Sequence, residues 1–371
     1  MEDPMTPEKR RSICVTTAAI VAFVAAVTVR VVFPETFAPR IFNRVLVEES
    51  RSKEKCEADA NRIFVRTELG SECVAYFVTK GFETRRQAVM FFDGDVSQQQ
   101  YLTPGLLEGY LAQQKRLMQV LADRLRVRYV YVSRVGLEGS SGNHGERRQP
   151  KETLVMNAVV DGLKARLGLD DPALAGQSGG AAIAAGLLTL GRKDVQCAVL
   201  GSGGMETVEV EYDSSIKRGY HPIKAVLARK FYDPSAHLAT IGQREDRRIF
   251  ALGDPRDSIV AFELQSQFVD DLNAAGHAAK LIEVEGKGPQ HHDVELLALP
   301  VAGACLNGVT DESIIRAVAR DQSPSQALAQ LGWQNKKLKP GATGTKPSDP
   351  RTLGATLPHK LPGVELKVDP T

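Results

Sequence analysis

The stretch from Ala173 to Leu190 places the tightest constraint on the fold. A short apolar run, Ala173–Ala175, enters Gly176-Gln177-Ser178-Gly179-Gly180, and a run of small residues, Ala181–Leu190, leaves it. A strand, a sharp turn and a helix in that order need glycines two residues either side of the serine, because only there can strand and helix approach closely. The rest of the chain repeats the theme at larger scale. Strand patterns at Arg62–Thr67, Cys73–Thr79 (turned by Gly70), Ala88–Phe92, Val127–Ser133, Val195–Leu200, Arg248–Leu252 and Lys280–Val284 alternate with helical spacing at Pro104–Leu125, Pro150–Leu167 and Val260–Ala275. This alternation predicts an α/β fold, a mostly parallel central sheet with helices on both faces.

Charge and composition narrow the class of protein. Lys plus Arg number 47 and Asp plus Glu 45, so a net charge of +2 gives no general electrostatic reason to bind nucleic acid. Aromatic residues make up 6% with a single Trp, which argues against a platform for stacking bases. Lys9, Arg10 and Arg11 precede the uncharged run Ser12–Val29, the pattern of an export signal or a membrane anchor. Residues 1–40 are therefore read as a leader, with cleavage after Ala26 and retention as an anchor both open. Either outcome puts the body outside the cytoplasm, because Lys and Arg stay on the inner side. Residues 41–60, charged from Glu48 to Asp59, read as a linker; 61–334 as one folded domain; and 335–371, rich in Pro, Gly, Lys and Thr, as a flexible tail.

A serine hydroxyl is a weak nucleophile at neutral pH and needs a base held by a third group. Two glycine-containing loops after late strands supply candidates. Arg248–Leu252 runs into Gly253-Asp254-Pro255-Arg256-Asp257, and Leu281–Val284 runs into Glu285-Gly286-Lys287-Gly288-Pro289-Gln290-His291-His292-Asp293. Both loops leave the carboxyl ends of their strands, where active sites of open α/β sheets collect.

With Ser178, an acid at 254 or 257 and a histidine at 291 or 292 in that chain order, the region from about Ala88 to Leu306 resembles the α/β-hydrolase superfamily, in its prolyl-oligopeptidase-like and dienelactone-hydrolase-like branches. The resemblance implies an α/β-hydrolase fold and a catalytic Ser-His-Asp triad. Ser178 falls in the family's elbow. Asp257 matches the acid of a G-x-x-x-D-x-x-V pattern spanning Gly253 to Val260, with Asp254 as the capping residue of the turn. His292, next to the following helix, is favoured over His291 as base. Gly179 and Asp95 would donate backbone N–H groups to the oxyanion, although Asp93 stands where the family commonly has His. The implied activity is hydrolysis of an ester, thioester or amide through an acyl-enzyme, without a cofactor. A carboxylic ester hydrolase is favoured because fewer than 60 residues separate the leader from the Ala88 strand, too few for a substrate-sieving propeller. A prolyl-oligopeptidase-type peptidase and a non-catalytic binding protein of the same fold are the alternatives. The expected partners are a small acyl substrate or short peptide, no nucleic acid, and a membrane only through the N-terminal segment.

The remaining motifs read blandly. The loop Arg134–Gly142 resembles the family loop bordering the acyl pocket and lacks a phosphate-cradling pattern. His144 is read as solvated, and Glu146-Arg147-Arg148 as a solvated rim. His221 and His237 fall in the polar insertion Gly203–Glu245, a candidate cap; His277 ends a helix where a cation is favoured; His359 lies in the tail. None has metal-ligand spacing, so no metal is expected. Outside the leader, Cys56, Cys73, Cys197 and Cys305 permit two disulfides, paired 56–73 and 197–305 among three connectivities.

Overall fold

A computed structural model of the chain describes residues 47–48, 52–96, 106–320 and 322–337. The leader and most of the tail lie outside the described residues, and among those described no helix is long and apolar enough to cross a membrane. In chain order the elements are β1 Val47–Glu48, α1 Lys53–Glu57, β2 Arg62–Thr67, β3 Gly70–Val78, β4 Ala88–Phe92, α2 Leu106–Leu125, β5 Arg128–Val132, β6 Gly142–Asn143, α3 Pro150–Leu167, β7 Ala173–Gln177 and α4 Gly179–Thr189. Then follow β8 Cys197–Gly201, α5 Thr207–Lys217, α6 Lys224–Lys230, β9 Arg248–Gly253, α7 Phe262–Ala274, β10 Ala279–Glu283, α8 Glu295–Leu306, α9 Asp311–Val318 and α10 Pro324–Lys337.

Eight strands form one sheet in the order β10-β9-β8-β7-β4-β5-β3-β2. The six from β10 to β5 are parallel neighbours, whereas β3 runs antiparallel to both β5 and β2. The strands' period-2 alternation feeds two cores. Ala88, Met90 and Phe92 point into one with α3 and α4, and Val89 and Phe91 point into the other with α2 and α8. Being covered on both faces is why these strands read as continuous apolar runs.

Both expected disulfides are formed. Cys56–Cys73 ties α1 to β3, and Cys197–Cys305 ties β8 to α8. The first corrects the linker reading: residues 53–57 are helical, capped by Ser52, and bolted to the sheet. β1, also inside the supposed linker, pairs with β6. The charges that suggested a linker are the exposed side of a short helix whose Cys56 is buried. At the other end, α10 carries helix as far as Lys337, into the stretch expected to be tail.

Candidate active site

β7 delivers Ser178 at a sharp corner, with φ 54° and ψ −118° immediately before α4. This strained conformation is sustained by close packing. A Cβ on Gly176 would overlap the Gly180 carbonyl, and one on Gly180 would overlap the Phe92 carbonyl of β4. The Ser178 N–H is held by the Gly201 carbonyl at 2.8 Å, so the elbow is fastened to the end of β8. The corner leaves the serine at the N-terminus of α4, where backbone N–H groups and the helix dipole favour negative charge.

The loop after β9 presents two aspartates with different employment. The Asp254 side chain is fully buried and accepts from the Arg256 N–H and guanidinium and from the Gly286 N–H at 2.7–2.9 Å. Burial would raise its carboxyl, yet these donors hold it well below the usual range. It shapes the turn, as a capping residue does. Asp257 spends Oδ1 on the N–H groups of Ile259 and Val260, at 2.8 and 3.1 Å, which orients the carboxylate. Its Oδ2 lies 2.8 Å from Nδ1 of His292. His291, at φ 52°, turns its Nδ1 to 3.7 Å from the already saturated Asp254, beyond hydrogen-bond reach.

Sequence reasoning missed how the histidine loop is held. Gln177, the variable residue before the serine, donates Nε2 to the His292 carbonyl at 2.9 Å and accepts from the Val294 N–H at 3.2 Å. The residue before Ser178 therefore grips the backbone on both sides of Asp293. A glutamine in the x position of G-x-S-x-G carries no such signal by itself.

On the other flank, the loop 93–95 runs against the serine: a Cβ on Gly94 would lie 3.5 Å from that of Ser178. Asp93 is buried and accepts from the Gly94 N–H at 2.6 Å and the Tyr131 hydroxyl at 3.0 Å, with Tyr110 as a third donor. Burial raises its carboxyl despite these donors. The Tyr131 hydroxyl also lies 2.7–2.8 Å from the Glu138 carboxyl, which burial and then the charge of Asp93 push up to about 7.

Asp95 lies over Gly179 and is surrounded by arginines. Arg134 donates to it at 2.6 Å, Arg148 at 2.9 Å and Arg147 at 3.1 Å. Burial works against ionisation there, but Arg148, Arg134 and Arg147 outweigh it and hold the carboxyl well below the usual range. Arg134 is itself fully buried, forks onto Glu152 at 2.9 and 3.0 Å, and reaches the Asp93 carbonyl at 3.3 Å. Arg148 pairs in addition with Glu211 on α5.

Three expectations are corrected here. Arg147 and Arg148 are not a solvated rim, because both turn inward to Asp95. His144 is fully buried rather than solvated, and burial, with Arg134 second, pushes it down to about 4. His277 is also buried, and burial followed by Arg247 lowers its pKa, so the helix end does not favour a cation there.

The insertion Gly203–Glu245 forms α5, α6 and a 3₁₀ segment, Pro234–Thr240. Helix α5 spans both flanks of the site. Its Glu211 meets Arg148, and the Nζ of its last residue, Lys217, donates to the Ser258 carbonyl at 3.0 Å, next to Asp257. Among the described residues no group of three or more His, Cys, Asp or Glu side chains could hold a metal ion.

No family model matches the chain, and no curated protein is significantly similar to it. Solved structures do resemble it at low identity. An esterase of Pyrococcus furiosus aligns at 15% identity and a TM-score of 0.47, over 71% of this chain and 95% of its own. Est1E of Butyrivibrio proteoclasticus, solved with ferulic acid, aligns at 12% and 0.46 over 68% and 96%. An acylaminoacyl peptidase of Pyrococcus horikoshii aligns at 12% and 0.46 over 77% of this chain, which spans only 43% of the peptidase. The sheet order, the single reversed strand β3 and the strained serine between β7 and α4 make this an α/β-hydrolase fold.

Proposed function

We propose that the protein is a serine hydrolase acting on carboxylic ester bonds, with Ser178 as nucleophile, His292 as base and Asp257 as the orienting acid. The observation that carries this reading is the 2.8 Å contact between His292 Nδ1 and Asp257. A proton on Nδ1 satisfies that contact and leaves Nε2 as the basic nitrogen. Nε2 takes the proton of Ser178 as its oxygen bonds to the substrate carbonyl carbon. The same proton passes to the leaving alcohol as the ester C–O bond breaks. Water then repeats the sequence on the acyl-enzyme, releasing the acid and restoring the serine. The backbone N–H groups of Gly179 and Asp95 would hold the oxyanion, and the glycine-mediated approach of the 93–95 loop to Ser178 supports that assignment. No step calls for a cofactor.

Two disulfides and the basic-then-apolar leader support a body that works outside the cytoplasm. A fluorophosphonate probe tests the nucleophile: it should label the wild-type protein and leave Ser178→Ala unlabelled, and labelling of both would remove the assignment. A panel of p-nitrophenyl esters beside aminoacyl nitroanilides separates esterase from peptidase.

A further inference from the structure

We propose that the face formed by the end of α5, the following turn and α6 docks onto an anionic lipid surface. The fourteen residues Lys217–Lys230 hold five basic side chains (Lys217, Arg218, Lys224, Arg229, Lys230) and no acid, in a chain whose total charge is only +2. Lys224 pairs with Glu209, whereas Lys217, Arg218 and Arg229 donate to the backbone carbonyls of Ser258, Ser214 and Ala225. Their charge is therefore spent on no carboxylate at those contacts.

The same segment exposes apolar side chains. Helix α6 has no buried residue, and Ile223 and Val226 are 69% and 43% exposed. Tyr220 is exposed on the connecting turn, and Ile259 on the loop that Lys217 contacts. Among the described residues only one other large apolar side chain, Val120 on α2, is as exposed as these four. Helix α6 is thus a short helix with no fully buried side chain, Leu227 being half-buried, and with branched aliphatics beside cations.

That combination fits a bilayer interface, where aliphatic side chains enter the acyl boundary and Lys and Arg meet anionic headgroups. Other occupants fit less well. A soluble polyanion would leave Ile223 and Val226 without a partner. A second copy would bring two basic surfaces together. A protein interface depletes lysine at its centre. The face also borders the loop carrying Asp257, although the docking does not depend on the reaction proposed above.

The test uses the full chain with Cys14→Ser, so that a single environment-sensitive fluorophore can be attached at Ile223→Cys, with Val120→Cys as the reference. With phosphatidylcholine vesicles containing phosphatidylglycerol, emission from position 223 should move to the blue, and iodide quenching should fall about twofold or more, as for a side chain entering the interface. Position 120 should not respond. The response should fade in high salt and in the Arg218→Glu/Arg229→Glu variant, provided that variant melts like the parent. The proposal is overturned if anionic vesicles leave position 223 unchanged or if neutral vesicles shift it equally. It is also overturned if heparin without lipid reproduces the response, which would make the partner a soluble polyanion.

Discussion

The two flanks of Ser178 are held by different forces. On one side, Asp257 and His292 are fixed by directional hydrogen bonds: two backbone N–H groups on Asp257, and the Gln177 amide gripping the loop around His292. On the other, the loop 93–95 is fixed by a buried ion network of three cations (Arg134, Arg147, Arg148) and three anions (Asp95, Glu152, Glu211). A hydrogen-bonded arm sets angles and a protonation state; an ion network sets position and is costly to unbalance. Chemistry should therefore fail first when the hydrogen-bonded arm is cut, and stability when the ionic arm is cut.

The largest contrast should appear in turnover. His292→Ala should lower kcat by about 10⁴–10⁶, because triad members act as a unit. Asp257→Asn should cost about 10⁴ by presenting the wrong imidazole tautomer. His291→Ala, whose ring faces Asp254 and not Asp257, should cost roughly tenfold or less, within the range of a residue that only shapes a loop. Steady-state rates on a p-nitrophenyl ester decide it. If His291→Ala is the dead variant and His292→Ala survives, the base is misassigned by one residue.

The ionic arm should show itself in stability. Arg134→Met keeps the bulk but takes the paired guanidinium from buried Glu152 and one of three arginines from Asp95, and puts an apolar side chain in a fully buried position. Breaking a buried pair on one side typically costs about 3–5 kcal/mol, and urea unfolding should find a loss of that order. Asp257→Asn in the same assay should stay much closer to wild type. Equal losses in the two variants would mean that both arms serve the fold alike.

A pH dependence distinguishes a third element, the helix α5 that joins the two flanks. Glu206, just before α5, is buried with neither carboxylate oxygen partnered, and burial pushes it up to about 8. Such a group binds a proton in the folded protein that the unfolded chain releases near its ordinary value. Its stabilising contribution is complete below that ordinary value and is lost as pH rises toward 8. Asp95 works in the opposite direction. Its lowered pKa contributes stability above the ordinary carboxylate range, which is lost on acidification. The unfolding free energy from urea titrations should therefore fall between about pH 5 and 8, by a few kcal/mol at most for a single buried carboxyl. Glu206→Gln should make that fall shallower, with Glu138 still contributing to it, and leave the acid limb untouched. A parallel fall in both proteins would take Glu206 out of the alkaline loss.

What could be read from the chain follows the same division. The strand–elbow–helix unit, the sheet class and the late loops were legible because each is written in contiguous residues with a local period or a glycine turn. The loops carrying Asp257 and His292 were legible because each follows the end of a strand, whereas the preference for Asp257 over Asp254 and for His292 over His291 came only from the resemblance to the family's patterns. The ion network was not, since Asp95, Arg134, Arg147, Glu152 and Glu211 come from four separate stretches and nothing local tells a buried arginine from a solvated one. Arg147 and Arg148 were misread for that reason, and His144 with them. The linker was misread because charge density spoke louder than Cys56, whose partner lies 17 residues on.

A narrower contrast concerns Gln177, which links the serine corner to the histidine loop. It precedes Ser178, is buried, and spends both ends of its amide on the histidine loop. Gln177→Met fills the same space but leaves the buried Val294 N–H and the His292 carbonyl without those partners. An unsatisfied buried backbone group costs roughly 1–3 kcal/mol, so a modest drop in the urea midpoint is expected. Stability alone would not separate a structural role from a positioning one. The separating readout is the kinetic split. If Gln177 keeps His292 in register with Ser178, kcat should fall about ten- to a hundredfold with KM little changed, since each factor of ten corresponds to about 1.4 kcal/mol at the transition state alone. If the Asp257 contact suffices to hold the imidazole, kcat will stay near wild type while the midpoint drops. Gln177 would then belong with the groups that hold the fold, and the hydrogen-bonded arm would reduce to Asp257, with its two backbone N–H donors, and its contact with His292.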